Sequence, residues 1–324
     1  LPYLGRYRFR IALGFLMVLS TVIASMFSPW VLKYVVDSFQ QAFSREKLPV
    51  YASLILGISL VEGFFRFWMR RILIGVSREI EYDLRNDFLA RVQKMSLSSL
   101  QSRSTGDLMS RATNDLNAVR SVLGPGIMYS MNTVVLVILS TTILLRLNWK
   151  LTLLAYIPMA LVSFTVKKFG KQIDDRFESI QEQFSTLSTK AQENISGIRV
   201  VKAFAREETE IEEFGKLNFE YIRRNVALIR LWGIFYPLMT ALIGMSSVAL
   251  LWFGGRQVIH GLLTLGEFVA FMGYLAMLAW PTIAVGWVIN IFQRGAASMR
   301  RILEIMHAES GIRETCGRAD ASPL

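Results

Sequence analysis

FVAFMGYLAMLAWPTIAVGWVINIFQ, residues 268–293, runs for 26 residues without a charged side chain. A helix needs about 20 predominantly apolar residues to cross a bilayer core. Three more stretches read the same way: 11–32, 121–145 and 231–255, each uncharged and 22 residues or longer. A helix packed on the core of a soluble domain keeps a polar stripe along its other side, and these four show none. Two further stretches are less clean. Residues 151–166 end at Lys167 and Lys168, whose stems can snorkel to the headgroups. Residues 48–65 contain one charge, Glu62. The sequence thus predicts an all-α membrane protein with six transmembrane helices. Its 52% hydrophobic content over 324 residues would suit a soluble domain equally well, so clustering decides the matter.

The net charge of +11 invites a nucleic-acid reading, and the positions of the charges argue against it. With a cytoplasmic N-terminus, the inner segments hold 30 of the 36 Lys and Arg. The outside keeps Lys33, Arg45, Lys47, Arg146, Lys150 and Arg256. This positive-inside bias predicts cytoplasmic termini. Two inner segments are long and so count for less than residues near the span ends, but the short outer loops agree. No aromatic-interleaved basic patch points to DNA or RNA; the expected partner is the lipid bilayer. The first apolar stretch is too long for a signal peptide and lacks a cleavage site, so it reads as a retained helix. The lone Cys316 can form no internal disulfide, no metal-ligand spacing exists, and His260 and His307 read as ordinary polar positions.

The outer connections (33–49, 146–150, 256–267) are short, whereas the inner ones run to 55 and 64 residues. Loops this long are functional or carry their own structure. Here the pattern is helical. Apolar residues fall at Ile80, Leu84, Phe88, Val92 and Met95, and again at Ile173, Phe177, Ile180, Phe184, Leu187, Ala191 and Ile195, close to a coiled-coil seam. The returning segment offers Ile211, Phe214, Leu217 and Tyr221. The membrane helices are therefore expected to continue into the cytoplasm. Arms of about 25 residues would reach roughly 35–40 Å. Two helical hairpins result, with tips near 99–113 and 198–208. The first tip is small and polar from Gln101 to Asp107, and its Ser and Thr can cap a short helix starting near Asp107. The second follows Gly197, and its Phe204 either stands exposed or packs on its own stalk. Thr264 and Glu267 make a capping box that marks an external helix start. Pro29, Pro158, Pro237 and Pro281 lie in or near the spans, where prolines kink helices.

Glu62, Arg66 and Arg70 share one helical face. A lone charge at mid-membrane costs about 2.5–3.5 kcal/mol on insertion scales. Pairing of Glu62 with Arg66 reduces that cost, as does a water-filled cavity. Glu62 and Arg66 are accordingly candidate substrate-pathway residues, while Arg70 and Arg71 fit the inner headgroup level.

Four stretches together resemble the transmembrane domain of ATP-binding-cassette (ABC) exporters with six helices per half. Ser104-Thr105-Gly106-Asp107-Leu108-Met109-Ser110-Arg111-Ala112-Thr113-Asn114-Asp115 resembles the family's first cytoplasmic loop. Gly197-Ile198-Arg199-Val200-Val201-Lys202-Ala203-Phe204, followed by Glu207 and Glu208, resembles the second. Leu265-Gly266-Glu267-Phe268-Val269-Ala270-Phe271, with Pro281 beyond, resembles the sixth span. Gln293-Arg294-Gly295-Ala296-Ala297-Ser298 leading to Arg301-Ile302 resembles the exit toward a nucleotide-binding domain. Each motif is weak alone; four in order, at the expected inner and outer places, are specific.

The resemblance covers roughly residues 1–306 and carries several implications. Residues 1–10, with Tyr3, Leu4, Tyr7, Arg6, Arg8 and Arg10, would be an interfacial elbow helix. Residues 11–306 would form the six-helix domain, and 307–324 a linker toward a nucleotide-binding domain. Two halves, expected to be a homodimer, would form one transporter with alternating access in a bacterial inner membrane. The tips would act as coupling helices, with Thr105, Gly106, Asp107 and Arg111 in the first contact and Phe204, Arg206 and Glu207 in the second. The sequence departs from the full-length pattern in having no Gly-x-x-x-x-Gly-Lys-Ser/Thr loop and no Ser-Gly-Gly signature. It carries no catalytic residue for ATP hydrolysis; ATP and Mg²⁺ are expected on a nucleotide-binding domain of the same full-length chain or a separate one. A start at Leu and a stop soon after the exit motif fit a trimmed chain. Two rivals remain at this point. An ATP-independent transporter or channel would leave the long inner hairpins unexplained and would usually show repeated halves. An exporter-like regulatory membrane domain differs from a permease only in transport.

Overall fold

The computed structural model describes residues 2–41 and 47–308; Arg45, Cys316 and the expected linker from 309 onward lie outside the described residues. The described residues fold as helices α1 (Pro2–Arg6), α2 (Arg8–Gln41), α3 (Leu48–Gln93), α4 (Leu97–Gln101), α5 (Thr105–Ser110), α6 (Leu116–Ser121), α7 (Ile127–Ser196), α8 (Ile198–Ala203), α9 (Glu207–Ile259) and α10 (Leu265–Met306). Single π-helical turns, Arg111–Asp115 and Val122–Gly126, join α5 to α6 and α6 to α7. Among the described residues, five helical runs are long and apolar enough to cross a membrane. One of these, 105–196, contains a break. Asn148 has extended backbone (φ −162°, ψ 103°), so two helices meet there, inside the expected outer connection 146–150. Asn148 itself caps the second of them, its Oδ1 accepting the Leu151 N–H at 3.1 Å.

Sequence explains the helix starts. Pro49 sits in the first turn of α3, where its missing N–H costs nothing. Glu207, Glu208 and Glu210 crowd the positive N-terminal end of α9. The first tip helix starts at Thr105, two residues ahead of the expected position, because Ser104 is extended and its Oγ accepts the Asp107 N–H at 3.1 Å.

The chain divides into two compact units. The first comprises residues 1–143, 265–274 and 287–324. One core joins Val76, Ile80, Leu84 and Phe88 of α3 and Met95 just after it to Leu116 and Val119 of α6 and Ile302 and Ile305 of α10. A second cluster gathers Val18, Met69, Leu73 and Met128. Pro29 deprives α2 of one internal hydrogen bond; beside it, the buried Tyr274 hydroxyl donates to the Met26 carbonyl at 2.8 Å.

The second unit comprises residues 144–264 and 275–286, with a core at Val162, Phe235 and Met239. Its stalks, the far part of α7 and the start of α9, are stitched by polar contacts. Gln183 Nε2 donates to the Leu217 carbonyl (3.0 Å), Arg224 to the Ser179 carbonyl (2.8 Å), and Lys190 pairs with Glu210 and Glu213. The expected seam on α7 is only partly used. Ile173, Ile180, Leu187 and Ala191 are covered or half-covered, whereas Phe177, Phe184 and Ile195 stand exposed. A straight helix drifts about 20° per heptad against a 3.5-residue repeat, and α9 meets only one side of the stripe.

Candidate functional site

The first tip is held by an alternating charge clasp. Asp107, Arg111 and Asp115 recur every four residues and face Ser298, Arg301 and Glu304 at the end of α10. Asp107 Oδ2 accepts from Arg111 Nε (2.9 Å) and Oδ1 from Arg301 Nη2 (2.8 Å). Arg111 Nη1 donates to the Arg301 carbonyl (2.5 Å) and to Glu304 Oε2 (2.8 Å). Asp115 is buried; its Oδ1 accepts from Ser298 Oγ (2.8 Å), and its Oδ2 lies 3.4 Å from Arg301 Nε. The intervening π-helical turn widens the helix there and lets Asp115 turn onto α10; such turns recur at functional sites. Partial burial opposes ionisation of Asp107, but the hydrogen bonds and charges of Arg111 and Arg301 outweigh it and hold the carboxyl below the usual carboxylate range. Burial also opposes the charge of Arg111, whose pairing with Glu304 and Asp107 raises its pKa nonetheless.

Thr105 and Gly106 open α5 on its exposed side, and a side chain added at Gly106 would meet open space. With Met109, 58% exposed, they leave the end of this tip open to its surroundings.

The second tip is built differently. Helix α8 ends at Ala203, Phe204 is 73% exposed, and Ala205 takes a left-handed φ of 49° that turns the chain into α9. The turn closes with Ala205 N–H to the Lys202 carbonyl (3.2 Å) and Arg206 N–H to the Val201 carbonyl (3.0 Å). Ile198, Val200 and Phe204 form an exposed apolar patch, flanked by exposed Arg206 and Glu207. At its base, Lys190 is held charged by Glu210 and Glu213.

Glu62 and Arg66 form an ion pair one turn apart on α3. Their neighbours in sequence, Val61 and Phe65, line an apolar cavity on α3. This cavity, of about 740 Å³ between α2 and α3, is lined by Ile23, Phe27, Leu54, Ile58, Val61 and Phe65, among others. Arg70 is exposed, and Arg71 lies over the Trp68 ring, 5.6 Å from its centre.

The structure thus brings Asp107 together with Arg111, and Glu62 with Arg66. Phe204, Arg206 and Glu207 share the second tip. Sequence reasoning placed Asp115, Ser298 and Arg301 inside motifs without giving them a role, counted Ser104 among the capping residues of the tip, and passed over Glu304. The available signal was the alternating sign of Asp107, Arg111 and Asp115 at helical spacing.

Comparison with known proteins fits this layout. The family model of the ABC transporter transmembrane region matches residues 11–282. The chain is 31% identical over 317 residues to the probable multidrug resistance ABC transporter ATP-binding/permease protein YheI of Bacillus subtilis, covering 97% of this chain and 54% of that protein. It is 30% identical to the multidrug resistance-like ATP-binding protein MdlA of Escherichia coli (85% of this chain, 47% of that one). It is 28% identical to the ATP-dependent lipid A-core flippase of Syntrophus aciditrophicus (92% and 49%). The chain spans about half the length of the curated relatives it matches. Long apolar helices, their extensions into charged stalks and a family match over most of the chain agree: this is a multi-pass integral membrane protein that belongs to the ABC transporter transmembrane region family.

Proposed function

We propose that this chain is the permease part of an ATP-driven exporter, moving its cargo by alternating access. Six crossings follow if the break at Asn148 separates the third from the fourth. Both termini then lie in the cytoplasm of a bacterial cell, with the outer loops across its inner membrane. Two copies form the pathway. The two tips, near 99–113 and 198–208, dock on nucleotide-binding domains that carry ATP and Mg²⁺; this chain contributes docking and translocation and no hydrolysis. Glu62 and Arg66 line the pathway, beside an apolar wall suited to lipophilic or amphipathic cargo. The names of the relatives, multidrug resistance and lipid A-core flipping, support that class.

The observation that carries the docking assignment is the first tip. Five charged side chains anchor its base to the end of α10, while Thr105, Gly106 and Met109 at its end are left exposed. A rigid, anchored base under a bare end is what a docking element needs, since pre-ordering lowers the cost of binding.

The test uses the full-length transporter in proteoliposomes. Asp107→Arg combined with Phe204→Ala should leave ATP hydrolysis running while nucleotide-driven transport is lost. Wild-type levels of both activities would remove the docking assignment. Single-cysteine labels at 107 and 204 should react from the cytoplasmic side only; a label reacting from outside would overturn the topology.

A further inference from the structure

The carboxylates Glu79, Asp83 and Asp87 recur every four residues along one face of the α3 stalk. Each is met by the N-terminal segment. Tyr3 Oη donates to Asp87 Oδ2 (2.5 Å) and Tyr7 Oη to Asp83 Oδ2 (3.0 Å). Arg6 Nη1 donates to the same Asp83 oxygen (3.3 Å), and Arg10 Nη1 to Glu79 Oε2 (2.5 Å). The order is antiparallel, rising through 3, 7 and 10 as the carboxylates descend through 87, 83 and 79. The segment therefore lies along the stalk in a fixed register.

The same segment also has an apolar grip. Tyr3, Leu4, Tyr7 and Ile11 pack on the core that joins Ile80, Leu84 and Phe88 to Leu116, Ile302 and Ile305. Leu108 and Ala112 of the first tip pack on that core too. Ile80, Leu84 and Phe88 each follow a ladder carboxylate by one residue, so polar and apolar contacts grip adjacent faces of α3. An exposed ion pair alone contributes little. Four polar contacts in register over a buried apolar face are a different case, because each lowers the ordering cost of the next.

We propose that residues 3–10 are a positioning strap. By occupying the carboxylate ladder they hold the α3 stalk onto the shared core, and so set where the first tip stands against the end of α10. The role of the strap in transport rests on the reading of that tip as a docking element; its mechanical role does not.

Spin labels at the exposed positions Asn86 on α3 and Arg300 on α10 of the full-length transporter report the separation directly. Tyr3→Phe with Tyr7→Phe removes two donors and no bulk. Arg10→Glu turns one rung repulsive, and Arg10→Glu with Glu79→Arg restores attraction with the signs exchanged. The first two variants should broaden the distance distribution and lower cargo moved per ATP by about five-fold or more. The exchanged pair should recover both. Unchanged distances in the first two variants, or an exchanged pair no better than Arg10→Glu, would overturn the strap. The distances are read without nucleotide or cargo. A wild-type protein that moves no cargo would defeat the exporter reading, and the distances would still decide the strap.

Discussion

Gly266→Ala sets two tendencies against each other, and the structure decides the sign. Helix propensity favours the change, since Ala exceeds Gly by about 1 kcal/mol in a helix. Geometry opposes it. A Cβ at Gly266 would stand 2.2 Å from the Lys33 carbonyl oxygen, 2.5 Å from Asp37 Cγ and 2.6 Å from Asp37 Oδ1, where ordinary contact begins at 3.4 Å. The nearest atom is backbone, so no rotamer change relieves the clash. The start of α10 must move about 1 Å from α2, an overpacking cost of about 1–3 kcal/mol. The same movement stretches the Gly266 N–H bond to Asp37 Oδ1 (2.8 Å) and the Lys33–Glu267 pair (3.0 Å), adding about 1 kcal/mol. The net expectation is a loss of about 1–3 kcal/mol. Gly215→Ala is the control. It lies inside α9 with open space around its Cβ position, so it should gain up to about 1 kcal/mol. The assay is apparent melting by tryptophan fluorescence in detergent micelles at one scan rate, because the scan rate affects such transitions. Gly266→Ala should melt several degrees below wild type and Gly215→Ala at or above it. Adding Asp37→Ala should not rescue Gly266→Ala, because the Lys33 oxygen remains. If Gly266→Ala melts with or above wild type, or if Asp37→Ala restores it, the close approach of α2 and α10 is wrong.

Three further outcomes are expected. Ala205→Gly removes left-handed strain of about 1–2 kcal/mol, partly offset by the greater chain entropy of Gly, and should slow protease nicking around 203–206; faster nicking would refute the strain. Glu62→Gln breaks the ion pair with Arg66 and should alter cargo-stimulated ATP hydrolysis in the full-length protein; no change with any tested cargo would return Glu62 to a structural role. Burial first, and then the hydrogen bond to Asp87, raise the Tyr3 phenol from 10.0 to about 12. The neutral phenol is the stabilising form, so its contribution to the strap is complete below pH 10 and is lost as pH rises through about 12. The difference in phenolate absorbance between wild type and Tyr3→Phe should therefore titrate near 12, and a midpoint near 10 would refute the Tyr3–Asp87 contact.

The membrane helices were legible because a bilayer imposes a local rule. Each crossing must satisfy its own backbone within one continuous helix, and that leaves an unbroken apolar run such as 268–293. The stalks were legible in part for a related reason. Periodicity reports that a helix has an apolar stripe, but not how much of the stripe its neighbour covers. On α7 the stripe includes Phe177 and Phe184, both about half exposed; the Phe184 ring lies 6.0 Å from that of Tyr221 on α9, but the polar contacts with α9 run through Gln183, Lys190 and Ser179, which no apolar pattern would select. The first tip followed the same division. A small polar run announced a turn, but its start at Thr105 was set by Ser104 adopting an extended backbone.

Polar partners divide by sequence distance. Glu62 with Arg66 and Asp107 with Arg111 are four residues apart, and helical geometry alone brings them together. Asp115 with Ser298, and Asp107 with Arg301, are 183 and 194 residues apart, and no local rule couples them. They cluster for a physical reason. Between helices in lipid there is no hydrophobic drive to associate, so close shape and small residues do that work. Gly273 against Pro29 and Ser246 on the Ala155 carbonyl are of that kind. Beyond the membrane, water returns the hydrophobic drive, and the core around Leu84, Leu116 and Ile302 supplies adhesion but little register. The clasp on α10 and the ladder on α3 supply the register. It follows that glycine and serine changes should act mainly on the membrane helices, whereas charge changes at the clasp and ladder should act on where the tips stand while the spans stay folded. Charge reversal at Arg301 that unfolded the spans, with the stalk core intact, would break that division.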